Sequence, residues 1–274
     1  MYSVQLCVQK IKITTMINKR NILCFLLIIS TSLFAQKRIF MMGDSTMANK
    51  LIFKVVNDNI SGDSIFEPFP EKGWGQLLPA FLTENVQVKN YAKNGRSSRT
   101  FIGEGLWQQV IDGLQSGDYL VIQFGHNDAS KEKVDRYTTP EEYVRNFTMF
   151  VQEAKAKGAK PIICTSVARR RFDQNGTFQD SHGEYLDLAR NVAISEGIPM
   201  IDMYEKSKEV LTRLGDEKSK SLFLHLKPGE NLNFPEGKID NTHFNERGAL
   251  LMASLFLEGL KEQNITELTG EIKE

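Results

Sequence analysis

Residues 38–48 read RIFMMGDSTMA, an apolar run of strand length that stops at a glycine, a carboxylate and a hydroxyl. Near-continuous apolar runs are typical of strands that are covered on both faces of a sheet. Four more runs of this kind follow along the chain, at Val86–Tyr91, Tyr119–Phe124, Lys160–Thr165 and Pro199–Met203. The sequence therefore predicts a sheet of five buried strands, of which Arg38–Met42 is the first.

Helical patterns separate these runs. They lie at Trp74–Leu82, Leu106–Leu114, Glu141–Lys157, Gly183–Ser195, Tyr204–Leu214 and Asn245–Glu262. Alternation of strand and helix favours an α/β fold in which helices cover both faces of a parallel sheet. In such sheets the reactive groups gather at the carboxyl ends of the strands, so the residues directly after each run are the ones to inspect.

The overall composition is that of a globular protein. The 274 residues carry 34 basic and 34 acidic side chains, and 41% of them are hydrophobic, which is enough to fill a sizeable core. A neutral balance lacks the basic face that phosphate binding needs, so nucleic acid is not an expected partner. No repeat, linker or low-complexity stretch interrupts residues 36–274, and we expect them to form one domain.

Residues 1–35 have the layout of a secretory signal peptide. A short basic start precedes an apolar run at Ile22–Ile29, and small residues lead to Ala35. The run is shorter than the roughly 20 apolar residues that a membrane span needs. We therefore predict export to the periplasm or the extracellular space, with Met16 as an alternative start and no membrane span in the mature chain. The exact cleavage site stays open.

Cysteine usage fits a simple exported domain. Cys7 and Cys24 would leave with the signal peptide, and Cys164 then remains alone in an apolar run. One thiol builds neither a disulfide framework nor a zinc site. We expect Cys164 to be buried and inert.

Polar segments follow the predicted strands at three places, and a fourth precedes the last helix. The four segments are Gly43–Thr46 (GDST), Lys93–Arg99 (KNGRSSR), Gly125–Asp128 (GHND) and Asp240–His243 (DNTH). Each is weak evidence alone, because Asn-Gly is an ordinary turn dipeptide and a lone Asp-x-x-His is often a surface pair. Together, at these strand ends, they predict one shared site at the carboxyl edge of the sheet.

This constellation resembles the SGNH (GDSL-type) hydrolase superfamily, and within it the rhamnogalacturonan acetylesterase branch, the family twelve carbohydrate esterases. The narrower resemblance rests on the GDST and GHND variants and on the Arg-Ser-Ser-Arg loop at residues 96–99. It implies a flavodoxin-like three-layer α/β/α sandwich with a five-stranded parallel sheet, the SGNH hydrolase fold. It also implies removal of acetyl groups from acetylated pectin, with no metal and no organic cofactor.

The chemistry supports the same roles. A serine hydroxyl needs an adjacent base, and His243 can be the base that activates Ser45. Asp240 would accept the Nδ1–H of His243 and stabilise the imidazolium. Matching the family motif position by position, the oxyanion donors would be the backbone N–H groups of Ser45 and Gly95 and the side-chain amide of Asn127. We expect Asp44 only to fix the turn that carries Ser45.

Arg96, Arg99, His126 and Arg170 are candidate substrate-binding residues. The run at residues 169–171 follows the fourth predicted strand, so it could face an anionic galacturonate chain or be a solvated charge run. His126 and His182 lack the spacing of a metal site, and no metal is expected.

Several functional alternatives stay open. The expected substrate is acetylated rhamnogalacturonan, but an acetyl-xylan esterase or another lipase or thioesterase of the superfamily would use the same site. A non-catalytic glycan-binding protein would have lost the nucleophile or the base, and Ser45 and His243 are both present. The expected partner is an acetylated polysaccharide or oligosaccharide, and the oligomeric state is left open.

Overall fold

A computed structural model describes residues 36–57 and 64–273, so the predicted signal peptide at residues 1–35 lies outside the described residues. The strands in chain order are β1 (Lys37–Gly43), β2 (Phe53–Asn57), β3 (Ser64–Pro68), β4 (Val86–Asn90), β5 (Tyr119–Gln123), β6 (Lys160–Cys164), β7 (Met200–Ile201), β8 (Phe223–Leu226) and β9 (Lys238–Phe244).

The helices complete the list of elements. They are α1 (Trp74–Leu77), α2 (Ser98–Gly103), α3 (Leu106–Gly113), α4 (Pro140–Ala156), α5 (Tyr185–Glu196), α6 (Met203–Ser219), α7 (Glu246–Glu262) and α8 (Thr266–Thr269), with 3₁₀ turns at Leu78–Phe81 and Lys220–Leu222. Among the described residues, no helix combines the length and apolar character that crossing a bilayer requires.

The central sheet is the five-stranded parallel sheet that the sequence predicts. Its strand order is β4-β1-β5-β6-β7, with every neighbouring pair parallel. Counted along these five strands, the order is 2-1-3-4-5, which is the flavodoxin-like arrangement. All five predicted runs become its strands, and the predicted α/β class is confirmed.

The two faces of β1 explain its continuous apolar run. Ile39 and Met41 belong to the core cluster that α1, α6 and α7 cover. Phe40 and Met42 belong to the cluster on the other face, which α3, α4 and α5 cover. All four side chains are fully buried, so alternation of polar and apolar residues would be unfavourable here.

Two predicted helices differ from the structure in extent. The predicted helix Trp74–Leu82 is a single α-turn followed by a 3₁₀ turn, because Pro79 has no N–H to continue the α-helical ladder. The predicted helix Tyr204–Leu214 extends to Ser219, but its helical geometry is interrupted at Gly215, which has a φ of 73°.

Two antiparallel hairpins and the two short helices α2 and α8 are absent from the sequence prediction. β2 pairs with β3, and β8 pairs with β9, each as a separate two-stranded sheet. Helix α2 begins after Ser97, whose side chain accepts the N–H of Thr100 in a capping box. The β8–β9 hairpin matters most for function, because it carries Asp240 and His243.

Candidate active site

Ser45 follows β1 directly, in a turn that neighbouring side chains hold in place. The buried Asp44 accepts hydrogen bonds at Oδ1 from the backbone N–H of Thr46 (2.9 Å) and from its hydroxyl (2.8 Å). Gln123, at the end of β5, donates from Nε2 to the same hydroxyl (2.9 Å). A Cβ at Gly43 would lie 2.6 Å from the Gln123 carbonyl oxygen, so glycine is required at this close approach. The expected role of Asp44 in fixing the turn is confirmed.

His243 reaches Ser45 across a sequence separation of 198 residues. Its Nε2 atom lies 2.8 Å from Ser45 Oγ, and its Nδ1 atom lies 2.9 Å from Asp240 Oδ2. Carboxylate, imidazole and hydroxyl thus form an unbroken hydrogen-bonded line. This geometry suits transfer of the Ser45 proton to Nε2 while the carboxylate holds the Nδ1–H tautomer.

A bulge in the β8–β9 hairpin places Asp240 and His243 side by side. In a regular strand, residues three apart point to opposite faces. Here Leu224 pairs with Asp240 while the preceding residue, Phe223, pairs with Phe244, so three residues of β9 bulge out between the two pairs. Asp240 Oδ1 closes the bulge by accepting two backbone N–H groups from it, including that of His243 (2.9 Å). One carboxylate therefore shapes the backbone and orients the imidazole.

The half-buried carboxylate of Asp240 is held in its ionised form. Burial by itself would raise its pKa, but the hydrogen bonds and the charge of His243, together with the Thr242 N–H, hold the pKa of Asp240 well below its ordinary value. An ionised carboxylate is the form that stabilises the imidazolium during catalysis. Asp240 can therefore serve this purpose throughout the neutral and mildly acidic range.

Gly95 and Asn127 line the same cavity as Ser45 and His243. Gly95 has a φ of 76°, a conformation that glycine adopts without strain. The Asn127 amide donates one hydrogen bond to the carbonyl oxygen of Arg96 (2.9 Å), which orients the amide; its second N–H can serve another acceptor. The three expected oxyanion donors thus belong to residues of one cavity, and their binding of an oxyanion stays a prediction.

The cavity has a volume of about 360 Å³ and carries an excess of cationic side chains. Lys133 and Arg136 come from the segment after β5, and Arg169 comes from the segment after β6. The acidic Glu71 also lines the cavity, but its carboxylate is paired with Lys50 (2.5 Å). A cavity of this kind suits an anionic ligand next to the reactive hydroxyl.

Lys133 and Arg136 are cavity residues that the sequence motifs do not predict. Both follow the GHND segment within ten residues, on the same edge of the sheet, and that position was the available signal. The segment around them is rich in charged residues of both signs, so its sequence also fits an ordinary solvated loop.

Arg170, a predicted substrate-binding residue, is not among the lining residues of the cavity. Its side chain is buried and is fully engaged inside the protein. It donates to the Asn241 side chain (2.7 Å), to Ser219 Oγ (3.1 Å), and to both the carbonyl and the carboxylate of Asp216. It therefore ties the end of α6 to β9, next to Asp240. Arg169, one residue earlier, is the member of the run that lines the cavity.

Arg96 and Arg99 are engaged at the loop around α2 and are not among the lining residues of the cavity. Arg96 donates to Glu104 (2.9 Å) and to the carbonyl oxygen of Asn94 (2.7 Å). Arg99 donates to the carbonyl oxygen of Val134 (2.8 Å). Through these hydrogen bonds both side chains stabilise the loops around the cavity. Binding of substrate by Arg96 or Arg99 stays a prediction.

His126 lines the cavity and is almost fully buried. Its Nδ1 atom lies 3.0 Å from His182 Nε2, and His182 Nδ1 lies 3.6 Å from the carboxylate of Asp180. Burial, together with the charge of Arg169, lowers the pKa of His126 well below its ordinary value. His126 is therefore a neutral imidazole in the same cavity as His243.

The remaining groups that could do chemistry are possible metal ligands and the Cys164 thiol. Within residues 36–57 and 64–273, no three His, Cys, Asp or Glu side chains are grouped so that they could hold a metal ion. Cys164 is buried at the end of β6, and burial raises the pKa of its thiol. The thiol is therefore protonated and unreactive at neutral pH, as expected.

Comparison with known proteins identifies relatives of the whole domain. A family model described as GDSL-like Lipase/Acylhydrolase matches residues 39–256. The rhamnogalacturonan acetylesterase RhgT of Bacillus subtilis (strain 168) is 39% identical over 225 residues, covering 82% of this chain and 90% of that protein. The rhamnogalacturonan acetylesterase of Emericella nidulans is 25% identical over 242 residues, covering 81% of this chain and 84% of that protein.

Solved structures share the fold. The crystal structure of protein YxiM from Bacillus subtilis superimposes with a TM-score of 0.66 at 26% identity, covering 84% of this chain and 57% of that one. The acetylxylan esterase Axe2 from Geobacillus stearothermophilus gives a TM-score of 0.57 at 17% identity, covering 82% of this chain and 94% of that one. The likeness to Axe2 concerns the fold alone.

Proposed function

Because this chain belongs to the GDSL-like lipase/acylhydrolase family and is a carboxylic ester hydrolase, a carbohydrate acetylesterase, we propose that it removes acetyl groups from acetylated rhamnogalacturonan. We further propose that the reaction proceeds through an acetyl-Ser45 intermediate. The contact of His243 Nε2 with Ser45 Oγ at 2.8 Å is the observation that carries the mechanism. The cationic lining of the cavity is what favours a pectic substrate.

In the proposed reaction Ser45 Oγ attacks the acetyl carbonyl carbon while His243 takes the hydroxyl proton. The carbonyl oxygen becomes an oxyanion that the N–H groups of Ser45, Gly95 and Asn127 would stabilise. His243 then gives its proton to the sugar oxygen as the ester bond breaks. Water enters, loses a proton to the same imidazole and attacks the acetyl carbonyl carbon. The imidazolium then returns this proton to Ser45 Oγ as the acyl–serine bond breaks and acetate leaves, which regenerates the serine hydroxyl and the neutral imidazole. Asp240 stabilises the imidazolium in both halves.

The charge of the cavity supports a uronate-containing chain. Lys133, Arg136 and Arg169 line the cavity that contains Ser45. Rhamnogalacturonan carries a carboxylate on every galacturonate, and guanidinium and ammonium groups are the natural partners of carboxylates. Xylan has an uncharged backbone and offers no carboxylate to these cations. The names of the relatives, both rhamnogalacturonan acetylesterases, agree with this choice.

Export is part of the proposal. Plant cell-wall polysaccharides are too large to enter a cell, so an enzyme that deacetylates them must act outside the cytoplasm or on imported fragments in the periplasm. The basic start and the apolar run within residues 1–35 support removal of this segment during secretion.

Acetate release from a matched pair of polymers tests the substrate. We expect faster release from acetylated rhamnogalacturonan than from acetylated xylan, and no release by Ser45→Ala. Arg169→Met should lower kcat/KM on the pectic polymer by a larger factor than kcat/KM on p-nitrophenyl acetate, because only the polymer offers a carboxylate to the guanidinium. A preference for xylan, or for octanoyl over acetyl p-nitrophenyl esters, would contradict the proposed substrate.

A further inference from the structure

The β2–β3 hairpin turns an apolar face to solvent. Phe53 and Val55 alternate on β2, and Phe66 lies opposite Val55 on β3, so the three side chains share one face. Their exposed fractions are 54%, 54% and 75%. Pro68, which lies opposite Phe53, extends the same face and is also exposed. We call the face made by Phe53, Val55, Phe66 and Pro68 the hairpin platform.

This hairpin exposes its aromatic side chains rather than burying them. The half-buried residues of β3 are Ile65 and Glu67, on the side opposite the platform. Antiparallel pairs normally turn their apolar side chains to the core and their polar ones to water. Grouped, exposed aromatic side chains on a folded protein mark a surface that meets a ligand or a partner. The platform therefore needs an occupant.

Both ends of the hairpin are fastened to the wall of the active-site cavity. Lys50, which precedes β2, is buried, and its Nζ atom lies 2.5 Å from the Glu71 carboxylate and 2.5 Å from the Asn94 side-chain oxygen. Glu71, which follows β3, and Asn94 both line the cavity. The chain thus leaves the cavity wall at Lys50, forms the hairpin and returns to the wall at Glu71.

The hairpin also contacts the loop between β8 and β9. The carbonyl oxygen of Pro68 accepts hydrogen bonds from the side-chain amides of Asn231 (3.3 Å) and Asn233 (3.2 Å). The ring of Phe69 packs against that of Phe234, with their centroids 6.0 Å apart. Because β9 carries Asp240 and His243, the base of the hairpin is attached both to the cavity wall and to the loop that leads into this strand.

We propose that the hairpin platform binds sugar rings of the polysaccharide that flank the acetylated residue in the cavity. The inference rests on the proposed function, because only a polymeric substrate extends from the cavity to the hairpin. The C–H groups of a pyranose form an apolar ring face, and such a face packs on the flat surface of a phenylalanine while the hydroxyl groups stay in water. The cavity supplies charge recognition, and the platform supplies apolar contact along the chain.

The double variant Phe53→Ala/Phe66→Ala tests this proposal against a matched control. Ile194→Ala truncates a side chain of similar exposure, 76%, near the end of α5, whose last turn lies at the amino edge of the sheet. We expect the double variant to lower kcat/KM on the acetylated polymer by about tenfold, mainly through KM. The small ester p-nitrophenyl acetate is too short to reach the hairpin, so its turnover reports whether the catalytic site is intact. Ile194→Ala should match wild type on both substrates.

Two outcomes would overturn the proposal: unchanged polymer kinetics, and equal losses on polymer and small ester. If unchanged polymer kinetics accompany conversion of a wild-type dimer to a monomer, the platform is a contact between copies of the chain. The comparison uses whichever acetylated polymer the wild-type protein deacetylates. A wild type that acts on xylan and not on rhamnogalacturonan therefore contradicts the proposed function, while the ratio of variant to wild type still tests the platform.

Discussion

Replacing Asp240 by asparagine changes which nitrogen of His243 carries the proton and leaves the shape of the site almost unchanged. The variant side chain has the same shape, and its oxygen can still accept the two backbone N–H groups that close the bulge in β9. The amide nitrogen, however, replaces Oδ2, which lies 2.9 Å from His243 Nδ1. An N–H donor at this place requires Nδ1 to be the acceptor. The proton of the neutral imidazole then moves to Nε2, where it faces Ser45 Oγ.

The wrong tautomer cannot take the serine proton, and the neutral amide cannot stabilise the imidazolium. In a Ser–His–Asp triad this change costs about 10⁴-fold in kcat. That factor corresponds to about 5 kcal/mol of lost transition-state stabilisation. We expect a loss of this size for Asp240→Asn, with little change in KM for a small ester, because binding of the ground state does not use the tautomer.

Initial rates of p-nitrophenyl acetate hydrolysis at neutral pH measure the effect, and circular dichroism shows whether the fold is kept. The matched control is Asp187→Asn, because Asp187 is an exposed aspartate on α5, with 73% of its side chain accessible. This control should lie within about twofold of wild type. An Asp240→Asn variant that is folded and retains more than about a tenth of wild-type kcat would refute the assignment of Asp240 as the residue that orients His243.

Three further substitutions probe the predicted oxyanion site, the buried Arg170 and the buried Asp128. Asn127→Ala should lower kcat by about 10²–10³-fold with KM nearly unchanged, and an unchanged kcat would remove Asn127 from the oxyanion site. Arg170→Met should lower the melting temperature in calorimetry by roughly 10 °C, because about 3 kcal/mol of internal hydrogen bonds is lost; an unchanged melting temperature would contradict its internal role. Burial raises the pKa of Asp128 from 3.8 to about 6, despite hydrogen bonds from Ser98. Ionisation of Asp128 therefore opposes folding as the pH rises from about 4 to about 7. Over this range, urea unfolding should show the free energy of unfolding of Asp128→Asn rising by roughly 3 kcal/mol relative to that of wild type. If the difference between the two free energies does not change with pH, the pKa of Asp128 is not raised.

The sheet and the meeting of the motifs were predictable because both follow from strong local signals. Phe40 and Met42 face one core while Ile39 and Met41 face the other, and a run buried on two sides is easily recognised. The carboxyl ends of parallel strands share an edge, so the segments after β1, β4 and β5 had to lie near one another.

The hairpin that carries Asp240 and His243 has no such signal. β9 reads KIDNTHF, in which polar residues outnumber apolar ones, and its bulge depends on bonds from one side chain to its own backbone. The β2–β3 hairpin turns Phe53, Val55 and Phe66 to solvent, so its alternation does not identify the face that meets the core. The sequence does not show which of the adjacent Arg169 and Arg170 faces the cavity. That is decided by the hydrogen bonds of Arg170 to Asp216 and Asn241 inside the protein.

Labelling with a serine-reactive phosphonate, mapped by mass spectrometry, tests the central claim most directly. The hydrogen-bonded line from Asp240 through His243 to Ser45 predicts one adduct, on Ser45, in the wild-type protein. Under the same exposure, His243→Ala should remain unlabelled, because its serine has no base. The absence of an adduct, an adduct on another residue, or equal labelling of Ser45 without His243 would contradict the account.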